Sequence, residues 1–292
     1  MDFLKLLARL AETDTQSLTV TGPRRTALRR LAQAGTAVLP AVLTALPQPA
    51  AARDSRTVQD VLKLALVLEQ LENAFYTQAL QQPLTFFGTT ENRAAIQTIQ
   101  THEQQHVDLF TRLLLNSGAT LEAAPRFDFT GSKNGSQAAL YPDVFSNFDT
   151  FLRVAQLLED TGVRAYKGQV EFIQFDDFLL ESAVRTHSVE ARHASHIRTM
   201  RRQRGATVKS WVSSSDAPIT TAGSVAAKAY AGEENFAQYL AGNNLVPFVD
   251  NLPINVAKPP LSQAAILAKV AEAFDEPLEA LTATEVASLF IY

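Results

Sequence analysis

Two Glu-x-x-His pairs are the residues of this chain whose types and spacing best suit metal chemistry. They are Glu103 with His106 and Glu190 with His193, each within a segment of helical periodicity. Residues three apart on an α-helix lie on the same face, so each pair places a carboxylate beside an imidazole. On a buried face such a pair is costly unless a metal ion compensates it. Two such pairs, with one further Glu from each of two other helices, match the side chains of a two-metal site in a four-helix bundle.

Composition excludes several other kinds of site. The chain has 292 residues, a net charge of −4 and no cysteine. The mild charge gives no argument for a nucleic-acid partner. The lack of cysteine excludes disulfides, iron–sulfur clusters and thiolate zinc sites within this sequence. Any electrons used at a metal site would therefore come from iron, from peroxide or from an external partner.

Four long helical segments can position the pairs. They are segment A (about 57–80), segment B (about 91–116), segment C (about 147–172) and segment D (about 177–204). Ser55 or Thr57 can cap segment A, and Gly118 and Gly205 are typical stop signals after B and D. The short A–B and C–D links predict antiparallel pairs. The turn-rich B–C link, about 118–146, is long enough to run the length of the bundle and to place C parallel to the partner of B.

The periodicity predicts which face of segments B and D is buried. In segment B, core-type positions recur at spacings of three and four, and Glu103 and His106 fill the two middle positions. Segment D repeats the pattern with Glu190 and His193. Apolar residues above and below each pair indicate a polar layer at mid-height of the bundle.

Segments A and C supply the remaining carboxylates. Glu69 and Glu159 lie at mid-height of their core-type stripes, and each is followed seven residues later by a tyrosine, Tyr76 or Tyr166. The order Glu, Tyr, Glu-x-x-His therefore occurs twice, as a site with approximate twofold symmetry requires. We interpret the tyrosines as hydrogen-bond donors to the ligands or as radical relays.

These residues give a specific ligand hypothesis. Glu69 and His106 bind one ion, Glu159 and His193 bind the other, and Glu103 and Glu190 bridge both. Two divalent cations would balance four carboxylates. Carboxylate oxygens with two imidazoles suit two iron ions or two manganese ions, and zinc would also bind.

Five further polar or small residues near the site have open roles. Glu72 is favoured as a solvated residue, with an extra carboxylate near one metal as the alternative. Gly162, at the matching position of segment C, is explained equally by close helix packing or by room for a small molecule. Surface positions or contacts behind the ligands are expected for His102, His187 and His196.

The four-helix bundle is assigned to residues 56–205, with a further segment at each end of the chain. Residues 1–55 include Arg24-Arg25 and a weakly apolar stretch, typical of a twin-arginine export leader. A periplasmic location by export and a cytoplasmic protein with a retained N-terminal arm are both open. The apolar stretch is too short to span a membrane. Residues 206–292 are predicted to form an extension packed on the bundle, with short helices near 262–274 and 283–291.

Several strings resemble the ferritin-like superfamily, specifically the bacterial ferritin-like domain proteins often labelled desiccation-related. They are Leu66–Tyr76, His102–Val107, Phe127–Thr130, Leu158–Gly168, His187–Ala194, Tyr230–Glu234 and Glu272–Leu278. The resemblance implies an all-α fold, a ferritin-like four-helix bundle with a long B–C crossover, and a di-metal carboxylate centre. It does not imply a defined reaction.

Three functions remain at this point. The favoured one is a di-iron or di-manganese protein that oxidises ferrous iron or consumes hydrogen peroxide or oxygen, as an oxidoreductase of ferroxidase, peroxidase or catalase type, in stress protection. The alternative is a structural or protective bundle whose metal centre mainly stabilises the core. Metal storage inside a cage is the least favoured, since no acidic mineral-nucleating run is present. A homo-oligomer is compatible with each.

Overall fold

A computed structural model describes residues 57–237, 239–241, 244–246 and 262–292. The α-helices in this part of the chain are α1 (Val58–Leu80), α2 (Leu84–Phe87), α3 (Thr90–Asn116), α4 (Phe148–Ile173), α5 (Asp177–Gln203), α6 (Gln263–Ala271) and α7 (Ala280–Ala287). The four long helices, α1, α3, α4 and α5, correspond to segments A to D. The predicted all-α bundle with a long crossover and a C-terminal extension of short helices is therefore confirmed.

Side-chain caps determine where the long helices begin. Thr57 accepts a hydrogen bond from the backbone N–H of Asp60, whose carboxylate accepts one from Thr57 in return. This capping box satisfies donors that the first helical turn leaves unpaired. The side chains of Thr89, Asn147 and Asp176 accept hydrogen bonds from backbone N–H groups in the first turns of the other three long helices. Helix starts were predictable to within a residue or two because each capping side chain is visible in the sequence.

Contacts between helix ends give the directions of the helices. Gln59 at the start of α1 donates to the carbonyl of Ser117, just after α3, so α1 and α3 are antiparallel. Arg204, just after α5, pairs with Asp149 at the start of α4, so α4 and α5 are antiparallel too. Both predicted antiparallel pairs are present.

The direction expected for α4 was wrong. Phe148 begins α4, and its ring centroid lies 5.3 Å from that of Phe86, a residue of α2 that follows the end of α1. At the other end of the bundle, Ile173 of α4 lines one cavity together with Val61 of α1 and Leu113 of α3. Helix α4 is thus parallel to α3 and antiparallel to α1. A link that runs the full length of the bundle returns the chain to the end where α3 began, which requires this direction.

Helix α4 is buried on nearly every side. It packs against α1 and α5, and the C-terminal extension covers its remaining face. Phe151 of α4 stacks on Phe75 of α1, with ring centroids 4.8 Å apart, inside a cluster of aromatic side chains. A central helix with this burial holds the mid-height residues of the bundle away from water.

A buried arginine and a glycine attach the extension to α4. The guanidinium of Arg164 is 1% exposed and donates to the carbonyls of Ala229, Ala231 and Glu276. One turn further along α4, the chain at Leu278 comes so close to Gly168 that a Cβ there would lie 2.0 Å from the Leu278 carbonyl oxygen. These contacts give the Glu272–Leu278 string a structural role, which is to attach the extension to α4.

The crossover is also held by the extension. Phe127 forms an isolated antiparallel bridge with Ile291, and the backbone N–H of Asp128 donates to the carbonyl of Phe290. The Asp128 carboxylate then accepts hydrogen bonds from Thr130, Ser132 and the Asn134 backbone, which tightens the following turn. The Phe127–Thr130 string is thus a docking point for the end of the chain.

Other parts of the fold were not anticipated. The short α2, the 3₁₀ helix at Ala226–Tyr230 and α7, which begins at Ala280 rather than near residue 283, all lack a side-chain cap that the sequence could have signalled. A two-stranded antiparallel hairpin, Tyr239–Ala241 with Asn244–Val246, belongs to a separate compact unit. Residues 1–55 lie outside the described residues, and the division at residues 56 and 205 remains a prediction. Among the helices that the structure describes, none has the length and apolarity that crossing a bilayer requires.

Candidate metal centre

The six predicted ligand side chains meet at mid-height of the bundle, and all are buried. They form two groups in which one atom from each residue lies within 4.8 Å of the others. The groups are Glu69, Glu103, His106, Glu190 and Glu103, Glu159, Glu190, His193. Because Glu103 and Glu190 belong to both groups, they occupy the positions that bridging ligands need.

Both histidines turn Nδ1 towards the carboxylates. Nδ1 of His106 lies 2.9 Å from Glu190 Oε1, 3.0 Å from Glu69 Oε2 and 3.3 Å from Glu103 Oε2. His193 belongs to the second group, together with Glu103, Glu159 and Glu190.

Nδ1 of His193 lies 2.7 Å from Glu103 Oε1, 3.4 Å from Glu190 Oε2 and 3.5 Å from Glu159 Oε2. Each imidazole nitrogen therefore has three carboxylates around it, more than one N–H can serve.

Many of these close approaches are not hydrogen bonds. Within the part of the chain that the structure describes, five buried side-chain atoms have no hydrogen-bond partner, and all five belong to this centre. They are Glu103 Oε1, Glu159 Oε2, both carboxylate oxygens of Glu190 and His193 Nδ1. Buried polar atoms without partners are rare, and each such atom calls for an explanation. Lone pairs that converge on one region are what a bound cation would satisfy.

The electrostatics of the centre are dominated by crowded carboxylates. Burial raises the pKa of Glu103, and the neighbouring Glu190 raises it further. Burial also raises the pKa of Glu159 to about 7, although the nearby His193 opposes this shift. Burial alone would lower the pKa of His106, but Glu69 and the other carboxylates raise it. Without a cation, the protein would have to retain protons here to reduce the negative charge.

The two tyrosines donate hydrogen bonds across the bundle. Tyr76 of α1 donates to Glu159 of α4, and Tyr166 of α4 donates to Glu69 of α1. Both rings are buried, and burial raises the pKa of each phenol. Each tyrosine thus fixes one carboxylate oxygen of the opposite half, which leaves the other oxygen to face the centre.

The expectation that Glu72 is solvated was wrong. Glu72 is 3% exposed, and its Oε1 lies 3.2 Å from where a Cβ on Gly162 would be. Burial raises the pKa of Glu72, and the four ligand carboxylates raise it further. The space beside Gly162 is thus taken by this carboxylate. The signal available in the sequence was the pairing of a glutamate in α1 with a glycine at the matching position of α4.

The three other histidines of the bundle occupy different environments. Nδ1 of His102 lies 3.0 Å from Nε2 of His193, so His102 contacts the back of a predicted ligand. Nδ1 of His187 lies 3.0 Å from the carbonyl oxygen of Val163, and His196 is exposed. Spacing along one helix could not reveal the His102 contact, since it depends on how α3 packs against α5.

The fold and this centre define a class. A four-helix bundle with one long crossover and a buried layer of four carboxylates and two imidazoles is the arrangement of carboxylate-bridged two-metal proteins. The model of the ferritin-like domain family matches residues 57–203, just over half of the chain. The chain therefore belongs to the ferritin-like domain family. A search of the curated proteins finds no match, and the desiccation-related subfamily stays a prediction.

Proposed function

We propose that this protein holds two iron or manganese ions and uses them to oxidise ferrous iron or to consume hydrogen peroxide or oxygen. Glu69 and His106 would hold one ion and Glu159 and His193 the other, with Glu103 and Glu190 between them. Iron or manganese in this position would supply the redox change that such a reaction needs.

The observation that carries the proposal is the set of five buried atoms without hydrogen-bond partners. A metal-free polar core would be expected to pair these atoms with one another. Four carboxylates carry four negative charges when ionised, and two divalent ions would neutralise them. The oxygen-rich donor set with two imidazoles suits iron, manganese or zinc, and of these only iron and manganese are redox-active.

The protein's own residues would prepare this chemistry in two ways. The hydroxyl groups of Tyr76 and Tyr166 orient Glu159 and Glu69, which limits how far each carboxylate can rotate. Apolar residues in the helical turns on either side of the carboxylate layer, among them Ile99 and Phe110 of α3, are 3% and 2% exposed. A dry site strengthens the attraction between the carboxylates and a cation.

Elemental analysis of the purified full chain, combined with ultraviolet–visible spectra after addition of ferrous iron and then peroxide, tests the proposal. We expect two iron or manganese ions per chain and a spectral change on oxidation. Glu103→Ala and His193→Ala should lose metal, whereas Glu181→Ala, an exposed glutamate on α5, should bind as the unmodified protein does. Full metal content in Glu103→Ala and His193→Ala would contradict the ligand assignment.

A second candidate is a protective bundle whose metal only stabilises the core. The buried Arg198 of α5 favours it: its Nη2 lies 2.5 Å from Asp160 Oδ2 on α4, and its Nη1 lies 2.7 Å from Asp216 Oδ2 in the extension, so one guanidinium joins the bundle to the extension. Bound iron or manganese without turnover of ferrous iron, oxygen or peroxide would support this function over the redox one.

A further inference from the structure

His102 and His193 form a stacked imidazole pair behind the candidate metal centre. Their ring planes are 8° from parallel and their centroids are 5.3 Å apart. Nδ1 of His102 lies 3.0 Å from Nε2 of His193, within hydrogen-bonding distance. His102 is on α3, beside Glu103, and His193 is on α5, so the contact joins two helices of the bundle.

The contact determines which nitrogen of His193 is free to bind a cation. Nδ1 of His193 faces the carboxylates and has no hydrogen-bond partner among the described residues. A metal-binding nitrogen must be unprotonated, so Nε2 must then carry the ring proton. An unprotonated Nδ1 on His102 accepts that proton's hydrogen bond, and this arrangement also fixes the rotation of the His193 ring.

The other half of the centre lacks this arrangement. The residue that corresponds to His102 by the internal repeat is Val189, which directly precedes Glu190 as His102 precedes Glu103. A valine side chain cannot accept a hydrogen bond. Among the described residues, the structure gives Nε2 of His106 no partner comparable to His102.

We propose that His102 is a positioning residue that holds His193 as an Nδ1 ligand and so makes the two metal positions unequal. The inference rests on the proposed two-metal function. The position formed by Glu159 and His193 would bind its ion more tightly than the position formed by Glu69 and His106. Hydrogen bonds of this kind typically contribute about 10–100-fold to metal affinity.

Three variants of the full chain test the role. His102→Leu removes the acceptor, whereas His102→Asn keeps an oxygen acceptor close to the original Nδ1. His196→Leu is the matched control, because His196 is an exposed histidine one turn beyond His193 on α5. Thermal unfolding of each metal-free variant checks that the bundle still folds.

The measurements are manganese titration with elemental analysis, and the occupancy of each metal position from anomalous diffraction. We expect His102→Leu to lose about 10–100-fold in affinity at the His193 position only. We expect His102→Asn to recover most of this affinity and His196→Leu to match the unmodified protein.

Three outcomes would overturn the inference. Equal loss at both positions would indicate a general structural effect, and unchanged binding in His102→Leu would indicate no role. In both cases the proposed function would stand, because the unmodified protein still binds two ions. Failure of the unmodified protein to bind any metal would overturn the proposed function and this inference together.

Discussion

The α1–α3 half of the bundle and the α4–α5 half carry the same ligand pattern but differ in what surrounds it. Both supply a glutamate, a tyrosine seven residues later and a Glu-x-x-His pair. Where α1 has Glu72, however, α4 has Gly162, and where α3 has His102, α5 has Val189. The candidate ligands follow an approximate twofold symmetry, and the residues beside them do not. A repeated set of candidate ligands therefore does not imply that two metal positions built from it would be equivalent.

The halves also differ in how they meet the rest of the chain. The extension contacts α4 at Arg164 and Gly168. The corresponding residues of α1 are Ala74 and Gln78. Alanine cannot make the three carbonyl contacts of Arg164. The extension is therefore attached by these polar and backbone contacts to α4, although α7 also contacts α1.

Removal of a carboxylate that belongs to both groups should cause the largest loss of metal, and it tests the residues that the two halves share. Glu190→Ala should lose both ions, since Glu190 belongs to both groups of side chains. Glu69→Ala and Glu159→Ala should each keep one ion, because each belongs to a single group. Metal content per chain by elemental analysis distinguishes these results. Retention of one ion in Glu190→Ala would mean that Glu190 does not bridge.

The two glycines of α4 have different neighbours: Gly168 faces the backbone of the extension, and Gly162 faces the Glu72 side chain of α1. Gly168→Ala would place a Cβ against the Leu278 backbone, so we expect a loss of about 1–3 kcal/mol in the free energy of unfolding. Gly162→Ala meets only the end of the Glu72 side chain at 3.2 Å, and alanine favours a helix by about 1 kcal/mol. Gly162→Ala should therefore change the free energy of unfolding much less than Gly168→Ala does. Urea unfolding of both variants measures this, and equal losses would contradict the comparison.

Glu72→Gln tests the carboxyl group of α1 that has no counterpart in α4, where Gly162 is the matching residue. Burial and four carboxylates raise the pKa of Glu72 in the folded protein, so its contribution to stability is lost as pH rises above 4.5, its ordinary value. Gln cannot ionise. The metal-free variant should thus be more stable than the unmodified protein at pH 8.

This stability difference between Glu72→Gln and the unmodified protein should shrink as pH falls towards 4.5. Urea unfolding of both metal-free proteins across this pH range provides the measurement. A difference that does not change with pH would show that Glu72 does not titrate differently in the folded and unfolded chains.

The tyrosines give the smallest expected effect and the closest test of equivalence. Tyr76→Phe and Tyr166→Phe each remove one hydrogen bond to a carboxylate. Each should weaken metal binding by about tenfold, at the low end for groups that orient ligands. Calorimetric titration with manganese would measure both. Markedly unequal losses would place the tyrosines among the features that break the symmetry.

The sequence predicted that these six side chains share one buried layer, because helical spacing alone determines which residues share a face; their role as ligands stays a prediction. Glu103 with His106 and Glu190 with His193 lie in a regular stripe, and the caps at Thr57 and Asp176 are local. Glu72 was misjudged because its burial depends on a glycine some ninety residues away. The contact between His102 and His193 could not be predicted either, since it depends on the rotation of α3 against α5, which no local pattern records.

The exchange of tyrosines between the halves has a consequence for the order of metal loading. Binding of an ion by Glu69 would also order Tyr166, which lies on the helix that carries Glu159, and binding by Glu159 would order Tyr76 in the same way. The protein would then lose less conformational entropy when a second ion binds, because those side chains would already be partly ordered. We expect cooperative binding isotherms for the unmodified chain, and independent ones once both phenols are replaced.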